Sequence, residues 1–308
     1  MKKILITTII CSGLMIFSSC SNFLDENPKS SLTLQDYYKT AAQATANVNY
    51  LYRNGAPTQY SDAGSAYVGP FATLPGMLSG YFSNDYEGQE LACKYSRLLT
   101  RQANTMTISE KVDGVWDDCY NAINVANGAI QNIPNISMDT TTKATLIGEA
   151  KFFRAFNYFY LVKVFGPIPL TETPYTSSSQ DMQLSRSAVA DVYSLIEADL
   201  KAAVDVLPAK SFANNSHRIT KYAAAMLLTS VYMQEGKYSD ATTYAKLIIS
   251  SGVHSLTQNT NMTDKSAYNK LRSTDDLDEV IYAQEFDSSI NNGGWWPTYA
   301  FDASATSI

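Results

Sequence analysis

Apolar residues recur every three to four positions through six stretches of the chain, the spacing that gathers them on one face of an α-helix. In 31–52 they alternate with small alanines, and Thr33 with Asp36 three residues on predicts the N-terminal cap of a first helix. In 115–133, Trp116, Cys119 or Tyr120, Ile123, Ala126 or Asn127 and Ile130 fall on one stripe, closed by Pro134. The stretch 142–165 repeats the pattern through Ala150, Phe153, Phe156 or Asn157, Tyr160 and Val164. Gly166 and Pro167 should end it, since glycine accepts a left-handed cap and proline cannot extend a helix. Aromatic side chains surround so much of this segment that it is expected to be buried on more than one side.

Three further helices follow at 187–207, 221–234 and 239–249, the first carrying Val189, Val192 or Tyr193, Ile196, Leu200, Ala203 and Val206 on one face and ended by Pro208. The last two are separated by Glu235-Gly236-Lys237-Tyr238. They place Ala225, Leu228 and Tyr232, then Gly236, Tyr238, Ala241 and Ala245, at matching offsets. Small residues that admit close helix approach, with a glycine in the turn, are the design of a tetratricopeptide-like pair. The pair beginning at Ala144 is a looser copy. Together they predict an all-α fold of tetratricopeptide-repeat-like helical pairs with a loop-rich ligand-binding face.

Between and beyond the helices the pattern breaks. Residues 53–80 are rich in Gly, Pro, Ser and Tyr and read as a loop-dominated insertion. After Gly252 polar loops lead to a short β-like run, Glu279-Val280-Ile281-Tyr282-Ala283, and then to NNGGWWPTYAF. Terminal repeats normally carry a cap, and the 308 residues finish without a closing helix, so the chain is expected to be the front part of a longer protein.

The amino terminus changes the picture most. Lys2 and Lys3 precede an apolar run from Ile4 to Phe17, the layout of a secretory signal. Ser12 and Gly13 interrupt a run already shorter than the roughly 20 residues a spanning helix needs. Ile16-Phe17-Ser18-Ser19-Cys20 resembles a lipobox, whose cysteine is acylated and becomes the first mature residue. Because one acyl chain gives only reversible attachment, stable anchoring requires a multiply acylated cysteine. The expected organisation is a signal peptide over 1–19, a lipidated tether over 20–31 and a helical-repeat domain over 32–308; plain secretion, with a chance cysteine near the cleavage site, is the competing reading.

Cleavage would take the net charge from −6 to about −8, which disfavours nucleic acid, a partner that needs a basic footprint. A hydrophobic content of 45% is enough for a sizeable core. Cys11 leaves with the signal and Cys20 takes the lipid, so Cys93 and Cys119 remain either as one disulfide or as two separate buried thiols. His217 and His254 lie in no metal-binding spacing and read as surface or loop residues; no catalytic elbow, phosphate loop or dinucleotide fingerprint is present. Neither a metal nor a cofactor is therefore expected. Carboxylates cluster at Asp117-Asp118 and at Asp275, Asp276, Asp278 and Glu279, where a glycosidase pair competes with ordinary solvated acids. Trp295 and Trp296 sit between Gly294 and Pro297, off any helix face. They either receive a ligand, sugar C–H faces lying flat on their rings, or plug a core; Tyr81, Tyr86 and Tyr95 are weaker companions.

Four ordered segments resemble the SusD/RagB-type nutrient-binding lipoproteins of Bacteroidetes: CSNFLDENPKSSLTLQDYYKT, WDDCYNAINVANGAIQNI, GEAKFFRAFNYFYLVKVFGPIPL and VYSLIEADLKAAVDVLP, followed by the alanine-rich pair ending at GKYSDA. The most specific is built on Glu149, Ala150, Arg154, Ala155, Tyr158, Leu161, Gly166 and Pro169. The resemblance implies an outer-membrane surface lipoprotein, non-enzymatic, that captures oligosaccharides or peptides and passes them to a SusC-like TonB-dependent transporter. Members of that family are usually much longer. A surface glycosidase or peptidase and a lipid-anchored protein-binding scaffold remain the alternatives.

Overall fold

The computed structural model describes residues 38–55, 112–177, 180–259 and 267–283, all within one folding unit that begins at Tyr38. They form α1 (Ala41–Asn54), α2 (Val112–Asn132), α3 (Thr140–Phe165), α4 (Val189–Val206), α5 (Lys221–Glu235), α6 (Tyr238–Ile249) and α7 (Ala267–Ser273). Consecutive helices from α2 to α6 pack on one another, and α1 lies against α2 and α3. The chain is an all-α stack of tetratricopeptide-like pairs. Among the described residues the only β pairing is an isolated antiparallel bridge between Ile168 and Ser187.

Local chemistry sets the helix ends. The first described helix starts at Ala41, directly after Tyr38-Lys39-Thr40, whereas the expected cap at Thr33 lies outside the described residues. A reciprocal capping box sets the start at Ala41: Gln43 N–H donates to Thr40 Oγ1 at 3.2 Å and Thr40 N–H donates to Gln43 Oε1 at 3.0 Å. Asp139 caps α3 by accepting from Thr142 N–H at 2.8 Å, and Thr220 caps α5 by accepting from Ala223 N–H at 3.2 Å. Gly236 ends α5 with φ 75°, the left-handed conformation in which an L side chain would be strained. Pro134 does stop α2, through one 3₁₀ turn over Ile133–Asn135.

The central position of α3 follows from its composition. Leu146, Ala150, Phe152, Phe153, Ala155, Tyr158, Phe159, Leu161 and Val162 are all buried, and they point to several sides of the helix. Each large apolar side chain so buried contributes roughly 1.5–3 kcal/mol. Phe159 meets Tyr193 near the start of α4, and a Cβ on Gly148 would lie 2.6 Å from Val206 Cγ2 at its end, so α3 and α4 run antiparallel. Only a residue without a side chain leaves room at that crossing.

Three expectations change, and one open alternative is decided. Val164, Val189 and Val206, read on apolar stripes, are 52%, 37% and 41% exposed, each at or next to the end of its helix. Tyr238, read as part of the pair's inner pattern, is 64% exposed at the first position of α6. The run 279–283 forms no strand: Val280 N–H closes a local turn on the Leu277 carbonyl at 2.8 Å, while Ile281 and Tyr282 pack sideways on the helical core. Cys119 is a free, fully buried thiol, pushed up by desolvation, and not half of a disulfide. Residues 1–31 and 53–80, apart from 53–55, and Cys93 lie outside the described residues.

Candidate functional site

Tyr120, Asn124 and Asn127 recur on α2 at intervals of four and three, which brings their polar ends to one side of the helix. Along that side runs the extended segment that follows α3. The Tyr120 hydroxyl donates to the Pro169 carbonyl at 2.6 Å, and Asn127 Nδ2 donates to the Thr171 carbonyl at 3.1 Å. The Asn124 side-chain amide pairs with both backbone groups of Tyr175, donating to its carbonyl at 3.2 Å and accepting from its N–H at 2.7 Å. From α3, the Tyr158 hydroxyl donates to the Thr171 carbonyl at 2.8 Å and accepts from Thr171 N–H at 2.9 Å. Alternate residues of an extended chain present their backbone groups to one side, so 169, 171 and 175 face the helices and are held there.

Behind this strap sits a buried charge. Arg154 Nε and Nη2 donate to the two oxygens of Asp199 at 2.6 and 2.9 Å, and Nη1 donates to Asn127 Oδ1 at 2.9 Å. The guanidinium therefore ties α3 to α4 and, through Asn127, to the strap. A second pair, Glu149 with Arg218, is made of bonds at 2.9 and 2.5 Å, and Arg218 also donates to Asn49 of α1 at 2.7 Å. Burial pushes the Glu149 carboxyl above its ordinary range, and the Arg218 bonds hold it back. The motif residues Glu149, Arg154 and Tyr158 are thus internal fasteners: their polar atoms are used up by neighbours within the stack.

The sequence-expected site residues are not brought together by the described residues. Cys20, Tyr81, Tyr86, Tyr95, Trp295 and Trp296 all lie outside them. The third tryptophan, Trp116, is half-buried between Tyr120 and Phe165 at ring separations of 4.8 and 5.2 Å, where it joins α2 to α3. Asp117 is exposed, whereas its neighbour Asp118 is half-buried with Oδ2 enclosed and pushed up by burial and then by Asp117. Successive helical residues diverge by about 100°, so these two carboxyls do not face one another as an acid–base pair would. Among the described residues no group of three His, Cys, Asp or Glu side chains could hold a metal ion, and no helix is long and apolar enough to cross a membrane.

A helical-pair stack with a side-chain-pinned strap defines the class: an α-solenoid-like scaffold. Within that class, residues 22–233 match the SusD-like family model described as starch-binding and associating with the outer membrane, and the chain belongs to that family. A SusD-like protein of Formosa agariphila is 29% identical over 82% of this chain and 47% of its own length. One from Bacteroides ovatus is 26% identical over 76% of this chain and 40% of its own. The chain thus spans about half the length of the curated relatives it matches. Among solved structures, a SusD-like protein of Bacteroides fragilis superposes with a TM-score of 0.59 at 21% identity, covering 83% of this chain and 47% of the other. A laminarin-binding SusD-like protein gives 0.55 at 22%, over 80% and 51%. These two likenesses show the fold.

Proposed function

We propose that this protein is a lipid-anchored surface receptor that captures oligosaccharides without transforming them and hands them to a SusC-like TonB-dependent transporter in the outer membrane. The observation that carries this reading is the family match across residues 22–233, in a family described as starch-binding. The polar groups of the family motif are spent on internal bonds, so ligand contact falls to groups outside that motif. The aromatic residues Trp295 and Trp296, with Tyr81, Tyr86 and Tyr95, offer ring faces suited to sugar C–H surfaces. Cys20 supplies the acylation site that would keep the receptor at the membrane.

Isothermal titration of the mature chain against laminarin and starch oligosaccharides tests the reading. Micromolar binding with unchanged sugar chain lengths afterwards is expected, together with a loss of about fivefold or more in Trp295→Ala or Trp296→Ala, taking the roughly 1–3 kcal/mol that a nucleic-acid base gains on an aromatic ring as the scale. Binding that survives both substitutions removes the tryptophan site. Binding of peptides but no glycan moves the ligand class, and release of shortened sugars overturns the non-enzymatic reading.

A further inference from the structure

The connection from α3 to α4 runs out along the strap, turns, and comes back. Its two arms are tied at both ends. Near the root, Ser187 N–H donates to the Ile168 carbonyl at 2.8 Å, the one antiparallel bridge among the described residues. At the tip Gln180 holds the turn: its Oε1 accepts from Thr176 N–H at 2.6 Å and from Ser177 N–H at 3.1 Å, and its own N–H donates to the Ser177 carbonyl at 3.2 Å. Between these ties no backbone bond joins the arms among the described residues.

The bridge fixes a register. Two residues forward on one arm of an antiparallel pair are two residues back on the other, so Ile168 opposite Ser187 sets Leu170 against Ser185 and Glu172 against Gln183. The same count runs out just past Ser177, inside the turn that Gln180 holds. Pro169, Thr171 and Tyr175 turn backbone groups to α2 and α3, so those of Leu170 and Glu172 face the opposite edge, where Ser187 already sits. Among the described residues neither Leu170 nor Glu172 makes a backbone hydrogen bond, and nor does Ser185. On the returning arm, Gln183 N–H is turned onto Asp181 Oδ1 at 2.9 Å and Leu184 N–H onto the Met182 carbonyl at 3.1 Å, local turns that keep the arm from extending. Met182 and Leu184 are left 63% and 42% exposed.

We propose that this excursion is a hairpin halted part-way, and that residues 181–186 close onto the outer edge of the strap through the pairs Leu170–Ser185 and Glu172–Gln183. Each pair exchanges two backbone bonds, in return for the local bonds at Gln183 and Leu184 that closing gives up. Closing sets Leu184 opposite Thr171 and Met182 opposite Thr173, where cross-strand contact shields both apolar side chains. It also removes an open edge that would template a foreign strand. Pro174 has no N–H to offer and ends the ladder before the tip. Because the returning arm is tethered at both ends, it reaches the edge without the cost of recruiting another molecule. A second copy presenting the same edge would bring Glu172 towards its own counterpart, like charges across a ladder. The device rests on backbone register and does not depend on the glycan reading.

Paired cysteines read the closed state. Opposed residues that share no ladder bond lie about 4.5 Å apart at Cα, within disulfide range; Thr173→Cys with Met182→Cys makes such a pair, and Thr173→Cys with Leu184→Cys is displaced by two positions. In the mature chain under mild oxidation, with crosslinks located by peptide mapping so that native cysteines are not counted, the first pair should close at least fivefold faster than the second. Adding Ser185→Pro, which removes a ladder donor, should erase that difference and leave the helical circular-dichroism signal unchanged. Equal rates for the two pairs, or a difference that Ser185→Pro leaves untouched, overturns the proposal. If the proline variant does not fold, the wild-type chain decides: exchange of the Leu170, Glu172 and Ser185 N–H groups should be slowed at least fivefold from their intrinsic rates, and free exchange at all three overturns it.

Discussion

Glu197 and Asp199 sit two residues apart on α4, and each carries ion pairs that bind this helix to its neighbours. Asp199 is 2% exposed and takes both Arg154 bonds inside the stack; Glu197 is 14% exposed and receives Lys201 at 2.9 Å, Lys237 at 2.5 Å and the Tyr232 hydroxyl at 3.0 Å near the surface. The same chemistry comes out with opposite signs. Burial pushes the Asp199 carboxyl above its ordinary range, and the Arg154 bonds only partly offset this. Burial also pushes Glu197 up, but less than its two lysines and Tyr232 pull it down, to about 2. The comparison teaches that for these two carboxyls the ion pairs outweigh desolvation near the surface and fall short of it in the interior. The interior pair joins α3 to α4, and its desolvation is a standing cost.

The largest expected effect breaks the interior pair from one side. Arg154→Met leaves Asp199 buried without its partner, and urea unfolding should show a loss of about 3–5 kcal/mol. Removing both charges, in Arg154→Met with Asp199→Leu, should recover most of that loss; a double variant as weak as the single one would mean that the pair itself stabilises the stack. A smaller effect tests the strap that Arg154 reaches through Asn127. Tyr158→Phe strips Thr171 of both bonds to the hydroxyl, with an expected cost of about 1–3 kcal/mol and faster exchange of Thr171 and Tyr175 N–H. The smallest lies at the surface. Glu197→Gln should cost less than about 1 kcal/mol at neutral pH. Because the folded carboxyl lies below its unfolded value of 4.5, the wild-type advantage should be complete above that pH and disappear as pH falls through about 2. An advantage that grew in acid would reverse the sign assigned to Glu197.

Much of this was legible from residue spacing. The positions of α3 to α6 follow the apolar repeats closely, and Gly166, Gly236 and Pro134 end helices as their backbone chemistry requires. The failures have physical causes. The cap at Thr40 rests on a reciprocal bond with Gln43, which apolar spacing does not register. Glu279 to Ala283 reads as β-like, but among the described residues no strand lies beside it, and Ile281 and Tyr282 pack on the helical core instead. Tyr120 and Asn127 fall at stripe positions that apolar residues could equally fill, and Asn124 lies off that stripe. Their common spacing was the available signal, yet the receiving groups are backbone atoms more than forty residues away, which no periodicity reports. The histidines were rightly placed in loops, but nothing in the sequence shows that Asp276 and the Asp278 carbonyl engage them. For the ligand face the sequence offers aromatic clusters only, since loop conformation is not encoded in a repeat.

The strap is gripped at Pro169, Thr171 and Tyr175 almost wholly through main-chain atoms, by side chains that belong to α2 and α3. The grip therefore reads few of the strap's own letters, the buried Pro174 and Glu172, 3.8 Å from Arg154, among them. An outward-facing position such as the exposed Thr173 is expected to be exchanged with little effect on how firmly the segment is seated, whereas changing Asn124 or Tyr158 would weaken the seat of every version of it. A lineage could thus rewrite what this edge displays while leaving the helices that carry it untouched.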